Sequence, residues 1–145
     1  IMYDLTNKQN IKGGLEEVLK NADVFIGVSK AGVLKAEFIK IMNTKPIIFA
    51  LANPIPEMMP DIAKSSGAFI VATGRSDFPN QLNNALGFPG IFRGALDHKV
   101  RDITDAMLVK ASVALAKLVK NPTQENIIPS IFDKKVVKTV ANSIK

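Results

Sequence analysis

The amino-acid sequence predicts an α/β fold: half of a doubly wound parallel sheet, followed by C-terminal helices. Three observations lead to this prediction. Short apolar runs alternate with helical patterns in residues 1–90, the runs lack strict apolar/polar alternation, and strand signals stop after residue 79. Parallel strands that are buried on both faces and joined by helical crossovers have this pattern.

The predicted strands are residues 22–28, 46–52 and 68–73, which are rich in apolar side chains, many of them β-branched or aromatic. The predicted helices have apolar residues at helical spacing. Glu57 and Asp61 fall in the first turns of one helix, where the helix dipole favours acidic groups. Thr104 and Asp133 are predicted to cap two others. The helices cover residues 15–20, 33–42, 56–66, 80–97 (bent or broken at Phe88-Pro89-Gly90), 104–120 and 133–144.

The domain organisation follows from these elements. Residues 1–98 are interpreted as the second half of a dinucleotide-binding, Rossmann-like domain, because three strands make up one half of such a sheet. Residues 99–145 are expected to form helices that pack on it or on a missing N-terminal domain. The glycine-rich phosphate loop of the first half is not in the sequence, which begins with Ile1. We therefore expect a C-terminal piece of a longer protein.

The composition excludes several kinds of chemistry. The 145 residues include no cysteine, so disulfides, thiolate metal sites and a cysteine nucleophile are excluded. His98 is the single histidine, and no G-x-S-x-G segment is present. No apolar run reaches the length of a membrane span, and no secretory signal opens the chain. We expect a cytoplasmic protein that does not contact membranes.

Positive charge is concentrated near the C-terminus. The net charge is +6, and residues 99–145 hold nine of the 19 Lys and Arg but only four of the 13 Asp and Glu. These lysines follow helical patterns without interleaved aromatic residues, so we expect solvated helix faces and no nucleic-acid partner. A second possibility is an interaction domain whose basic helices, at 104–145, bind an acidic surface.

Candidate functional residues lie in three loops that leave the carboxyl ends of the predicted strands, where parallel α/β sheets bind ligands. Gly27 and Gly32 allow a backbone to approach a flat ligand, or they serve ordinary turns. Asn53 offers a donor and an acceptor without adding charge, or it closes the strand together with Pro54. Asn83 and Asn84 are poor helix formers inside a predicted helix, unless one of them caps locally.

Arg75 and the adjacent pair Asp97 and His98 could be interpreted as catalytic groups, but the sequence does not favour this interpretation. Arg75 could bind an anion, but a salt bridge with Asp77 is the preferred interpretation. Asp97 and His98 are adjacent, and adjacent residues on a helix point apart. No set of metal-binding residues is evident, and Arg93 is expected to be structural or to lie at an interface.

Three segments resemble the cofactor-binding domain of bacterial-type malic enzymes: ADVFIGVSKAGVL, PIIFALANPIPEMMPDIA and VATGRSDFPNQLNNALGFPGIFRGALD. The resemblance runs from about residue 22 to residue 97 and continues more loosely to the end. It implies oxidation of malate with NAD or NADP and decarboxylation to pyruvate and CO2. It also implies a divalent metal (Mg or Mn), which is bound by the part of the protein not in this chain and which acts as a Lewis acid.

The resemblance implies which residues touch the ligands. Cofactor contacts would come from Gly27, Val28, Ser29, Gly32, Asn53 and Asn83, and substrate contacts from Asn53 and Asn84. The family's catalytic tyrosine and lysine and its metal ligands lie upstream, so no catalytic or metal residue is assigned here and the fragment alone should be inactive. Lys30-Ala31 replaces the usual Ala-Pro, and Ile55 replaces a usual Thr; both could alter cofactor contacts.

The first predicted strand is expected to take part in binding a partner. In the strand order of dinucleotide folds, residues 22–28 would pair with the missing half, so they form an unprotected apolar edge. We expect the chain to bind its missing half or to self-associate, and the whole protein to be a homo-oligomer. The alternative function is a non-catalytic nucleotide-binding or regulatory module that keeps the crevice.

Overall fold

The computed structural model describes residues 5–145. Its strands and helices alternate up to Thr73, and from there to Lys145 only helices and isolated bridges follow. In chain order the elements are α1 (Leu15–Leu19), β1 (Val24–Gly27), α2 (Ala36–Lys40), β2 (Ile47–Ala50), α3 (Pro60–Ser65), β3 (Ile70–Thr73), a 3-10 turn (Asn84–Leu86), α4 (Phe88–Asp97), α5 (Asp105–Ala116) and α6 (Lys135–Ala141).

The three strands form one sheet in the order β1-β2-β3, and the predicted parallel α/β architecture is confirmed. β1 and β2 pair in parallel, with Val24 opposite Ile47 and Gly27 opposite Ala50. The start of β3 joins β2 through hydrogen bonds to the Pro46 carbonyl. Each strand is shorter than its predicted apolar run, because the outer residues of each run belong to the connecting loops.

One prediction about the strands is wrong. All three were expected to be buried on both faces, but only alternate residues of β1 are buried. Phe25 is buried, whereas Val24 and Ile26 are 44% and 63% exposed. Val24 and Ile26 lie on a face of the sheet that no described residue covers. β1 also lies at the edge of the sheet. The predicted apolar edge at residues 22–28 is therefore present.

The described chain forms two compact units, the first ending at Ile70 and the second beginning at Val71. The sequence predicts a domain boundary after residue 98, by analogy with a whole dinucleotide-binding domain. That boundary stays a prediction. In the second unit, α4 lies before residue 98 and packs against α6, which lies after it.

The first unit buries the inner face of its sheet strands against the short helices. α1 packs on α2, and α2 packs on α3. Pro60 lies in the first turn of α3 together with Asp61, so the dipole explanation holds for Asp61. The buried apolar residues of this unit are Leu19, Phe25, Leu34, Phe38, Ile39, Met42, Ile48, Ala50, Ala52, Met58 and Ala63.

The second unit is centred on α6. Gly90 and Gly94 give α4 a surface without side chains, and α6 lies directly against it. A Cβ at position 90 would come within 2.5 Å of the Val140 Cβ, and one at position 94 within 2.9 Å of the Ala141 Cα. These two glycines are the reason that the helices approach so closely.

The helix predicted over residues 80–97 begins only at Phe88, which corrects the sequence analysis. Pro89 lies in the first turn of α4, so it starts the helix and does not bend it. Asn80 has φ of 55° and turns the chain away from a helical path. The predicted cap at Thr104 is confirmed, because its Oγ1 accepts from the Met107 amide. Asp133 Oδ1 accepts from the amide of Lys135, the first residue of α6, but the N-cap position is occupied by Lys134, so Asp133 is not the cap that the sequence predicted.

Candidate functional site

The loops that follow β1 and β2 are joined by one buried side chain, that of Glu57. Its Oε1 accepts hydrogen bonds from the Ser29 amide (2.7 Å) and the Ser29 hydroxyl (3.3 Å). Its Oε2 accepts from the Ala52 amide (3.0 Å). The side chain is completely buried. Glu57 therefore connects the end of β1 to the end of β2 from inside the unit.

Main-chain hydrogen bonds reinforce this connection. The Gly32 amide donates to the Pro56 carbonyl (3.4 Å), and the Leu34 amide donates to the Glu57 carbonyl (3.2 Å). Gly32 has φ of 71°, a left-handed conformation that glycine adopts without strain. Both loops are thus held against each other along several residues.

The Glu57 carboxylate stays ionised despite its burial. Burial acts to raise the pKa of Glu57, but the donors at Ser29 and Ala52 outweigh it, so the pKa lies below its ordinary value of 4.5. Three donors on two oxygens are what a carboxylate needs when water is excluded. The negative charge is internal to the loops.

Sequence reasoning missed this role and assigned Glu57 to the helix dipole. That assignment is wrong, because α3 begins at Pro60, and Glu57 lies before it. A signal was available in the sequence: the charge stands between Pro56 and Met58-Met59, in a segment with no other polar residue. A charge within an apolar segment indicates a buried partner.

Asn53 follows β2 on the exposed side of the same unit. Its carboxamide makes no hydrogen bond with any residue from 5 to 145, although the amide of its neighbour, Ala52, is fixed by Glu57. The peptide bond from Asn53 to Pro54 is cis. The structure therefore presents a free donor and acceptor pair on a loop whose start is held in place.

In the second unit, the segment after β3 contains the predicted Arg75–Asp77 pair, which is confirmed. Arg75 Nε and Nη2 donate to the two Asp77 oxygens at 2.9 and 2.7 Å. The hydrogen bond raises the pKa of Arg75 and lowers the pKa of Asp77. Arg75 also lies 5.4 Å from the ring centroid of Phe78. The guanidinium is thus engaged within its own loop.

Asn80 anchors the same segment, and sequence analysis did not identify it. Its Nδ2 donates to the carbonyls of Val71 (3.1 Å) and Gln124 (2.7 Å). Its Oδ1 accepts from the Ile127 amide (2.9 Å). The side chain is buried and all three bonds go to the main chain. Only its partners more than forty residues away in the sequence reveal this function.

The two adjacent asparagines differ in their surroundings. Asn83 Oδ1 accepts from the Ala85 amide (2.9 Å) and caps the 3-10 turn, which is the local role that the sequence left open. Asn84 is exposed, and its side chain has no hydrogen bond within the described chain. Both line an open cavity of about 290 Å3, together with Leu82, Leu86, Gly87, Phe88, Ile91, Leu115 and Ile128.

His98 has a structural partner. Its Nδ1 lies 2.7 Å from the Ile144 carbonyl oxygen, so the ring holds the C-terminal end of the chain. Asp97 pairs with Arg93 Nε at 2.8 Å, one helical turn away. The expected separation of Asp97 and His98 agrees with these contacts, and Arg93 has the structural role predicted for it.

Metal-binding groups and membrane spans were searched for in residues 5–145. No three His, Asp or Glu side chains come together there in a way that could hold a metal ion. No described helix is both long enough and apolar enough to cross a bilayer. The resemblance places the divalent metal in the part of the protein outside this chain, and that expectation stays a prediction.

The predicted site residues fall into two sets. Gly27, Val28, Ser29, Gly32 and Asn53 lie in the joined loops of the first unit. Asn83 and Asn84 lie beside the cavity of the second unit. Parallel strands followed by loops rich in glycine and amide side chains define a dinucleotide-binding class of α/β domain.

Comparison with known proteins identifies the family. The family described as "Malic enzyme, NAD binding domain" matches residues 3–145, and the chain belongs to it. The NAD-dependent malic enzyme of Geobacillus stearothermophilus is 51% identical over 142 residues, which is 97% of this chain and 30% of that protein. The NADP-dependent malic enzyme of Rhizobium meliloti is 52% identical over 114 residues, 78% of this chain and 15% of that protein.

A solved structure agrees with this assignment. The NAD-dependent malic enzyme from Thermotoga maritima superposes with a TM-score of 0.93 at 51% identity, covering 98% of this chain and 37% of that one. The chain thus spans between 15% and 37% of the length of these relatives. The predicted fold class and the resemblance to malic enzymes are confirmed.

Proposed function

We propose that this chain is part of an NAD- or NADP-dependent malic enzyme, which oxidises malate and decarboxylates the product to pyruvate and CO2. One observation carries the proposal. In this chain, Asn53 and Asn84 lie in segments that follow parallel strands. Both carboxamides are exposed and have no hydrogen-bond partner among the described residues. Relatives named as NAD-dependent and NADP-dependent both support it and leave the cofactor preference open.

In this proposal, each set of candidate residues binds a particular part of the substrate or the cofactor. Asn53 binds the nicotinamide amide or a malate carboxylate, since a carboxamide offers both a donor and an acceptor. Asn84 binds malate, and Asn83, whose oxygen caps the 3-10 turn, contacts the cofactor with its remaining amide group. Gly27, Val28, Ser29 and Gly32 border the dinucleotide. NAD or NADP, when bound, accepts the hydride from malate.

Proton transfer and metal binding are assigned to the rest of the protein. Glu57 and Arg75, two charged groups in the candidate loops, are both engaged within their own unit. In this proposal the chain binds and orients the ligands, and by itself it is inactive. The rest of the protein is its first partner, and homo-oligomerisation and a cytoplasmic location stay predictions.

The test uses the full-length protein with malate, Mg2+ or Mn2+, and either NAD or NADP. The readout is the absorbance of the reduced cofactor. We expect metal-dependent turnover that Asn53→Ala and Asn84→Ala each reduce about 100-fold. Asn121→Ala is the control, because Asn121 is exposed and distant in sequence from both loops. Folded wild-type protein that binds a nucleotide without turnover would contradict the proposal and indicate a regulatory module.

A further inference from the structure

One buried side chain, that of Glu57, joins the two loops that carry Ser29 and Asn53. Glu57 bonds to the main chain of both, at Ser29 (2.7 Å) and at Ala52 (3.0 Å). Ala52 directly precedes Asn53, so the bond fixes the start of the segment that presents the Asn53 carboxamide. Main-chain hydrogen bonds also link the two segments: the Leu51 amide donates to the Gly27 carbonyl (2.9 Å), and longer bonds join Gly32 to Pro56 and Leu34 to the Glu57 carbonyl.

The chemistry of this contact requires a carboxylate. Both oxygens of Glu57 accept hydrogen bonds from N–H or O–H groups of the loops, so neither position suits a side-chain group that donates. Glutamine has nearly the same shape, but its NH2 group would face an amide N–H of one loop. The side chain is completely buried, so water cannot replace the lost acceptor. The substitution therefore releases one loop and leaves the other attached.

Close packing adds a second constraint on the same carboxylate. Gly27 lies so near that a Cβ there would come within 2.6 Å of the Glu57 Cδ. The carboxyl group is thus confined by the backbone of β1 on one side and by hydrogen bonds on the other. Small displacements of the loops are resisted in both directions.

We propose that Glu57 is a positioning residue, which holds the loops after β1 and β2 at a fixed separation so that Asn53 and the 27–32 segment meet substrate and cofactor together. This inference rests on the proposed function, because it gives the fixed separation a role in ligand binding. Glu57 acts through these loops and not on the ligands, since its buried oxygens accept their hydrogen bonds from Ser29 and Ala52.

The experiment compares Glu57→Gln with Glu37→Gln in the full-length protein. Glu37 is the control, because it is exposed in α2 and its contact with Lys35 is long, at 3.9 Å. Malate turnover and hydrogen exchange are measured on both variants. For Glu57→Gln we expect KM for malate to rise about tenfold and kcat/KM to fall between ten- and a hundredfold, since misplacement of about 1 Å has effects of this size.

The KM values separate positioning from a loss of folded protein. A variant that is partly unfolded loses kcat in proportion and keeps the KM values of its folded fraction. Glu57→Asp keeps the charge but is one methylene shorter, so it reaches one loop and should give the same rise in KM. A KM within twofold of wild type in both variants would overturn the proposal.

Hydrogen exchange gives a readout that does not depend on turnover. We expect Glu57→Gln to increase exchange in residues 28–34 or 51–55 at least tenfold, with Glu37→Gln unchanged. If exchange in both segments stays at the wild-type rate, the loops are not held by Glu57 and the inference fails. If wild-type protein lacks malate turnover, the proposed function fails, and the exchange rates still decide whether Glu57 holds the loops.

Discussion

The Glu57 carboxyl group occupies the space that a side chain at position 27 would need. A Cβ on residue 27 would lie 2.6 Å from the Glu57 Cδ and 2.7 Å from its Oε1. A Cβ atom does not approach non-bonded atoms this closely, so glycine at the end of β1 and glutamate after β2 depend on each other. Gly27 is thus required by Glu57, whatever ligand the loop contacts.

We expect Gly27→Ala to lower the free energy of unfolding by about 2 kcal/mol, because the added methyl group overlaps a carboxylate held by three hydrogen bonds. The measurement is the midpoint of thermal unfolding. Gly14→Ala is the matched control, since the nearest atom to its Cβ would be the Glu17 Oε2 at 3.6 Å. Equal midpoints for the two variants would mean that the carboxyl group moves away freely.

The ionisation of Glu57 predicts a pH dependence. Because its pKa is below the ordinary 4.5, its contribution to stability is complete above about pH 5 and is lost as pH falls through the folded-state pKa. We expect the difference in thermal midpoint between wild type and Glu57→Gln to be largest near pH 6 and to shrink below pH 4. A difference that is independent of pH would show that the charge of Glu57 is not involved.

The sequence allowed the elements to be predicted better than the contacts between them. All three strands and the capping residue Thr104 follow from local patterns, because periodicity and capping depend on neighbours in the chain. Asn53 and Asn84 were also identified locally, from their unusual positions. Their roles in binding stay predictions.

Glu57 and Gly90 show why the rest could not be predicted. The Ser29 partner of Glu57 is 28 residues away, and the helix dipole offered an adequate local explanation for the charge. Gly90 faces Val140 on another helix, and no local pattern marks a glycine as a contact surface. The edge position of β1, by contrast, followed from strand order, although the exposure of one face was not anticipated.

The contact between α4 and α6 makes a prediction about Gly90 and Gly94. Alanine would favour the helix by about 1 kcal/mol, but its Cβ would overlap Val140 or Ala141, which costs more. We expect each substitution to lower the thermal midpoint. Gly87→Ala is the control, because the nearest atom there is the Ile91 Cδ1 at 3.7 Å. An increase in midpoint for Gly90→Ala would mean that the helices separate without cost.

Asn80 combines a left-handed backbone with three buried hydrogen bonds. We expect Asn80→Ala to lower the free energy of unfolding by about 3 kcal/mol, because it loses the bonds and keeps the strained φ of 55°. Asn80→Gly relieves the strain alone and should recover about 1 kcal/mol. Chemical denaturation measures both. If the two variants are equally stable, the conformation at residue 80 is not maintained after the bonds are lost.

The exposed edge of β1 predicts association of the 145-residue chain. Val24 and Ile26 are exposed on a strand whose outer main-chain groups have no strand partner among residues 5–145. Such an edge pairs with another strand, and a charged side chain in it opposes pairing. We expect light scattering to detect oligomers of the chain and Ile26→Lys to reduce them.

Val109→Lys is the matched control for the edge, because Val109 is 64% exposed and lies on α5. It introduces the same charge away from the strand, so it should leave association unchanged. If, as we propose, the rest of the protein supplies a strand that pairs with this edge, its addition should suppress oligomers of the wild-type chain. A monodisperse wild-type monomer at high concentration would contradict the prediction, and the β1 edge would then need protection by its own twist or by residues outside 5–145.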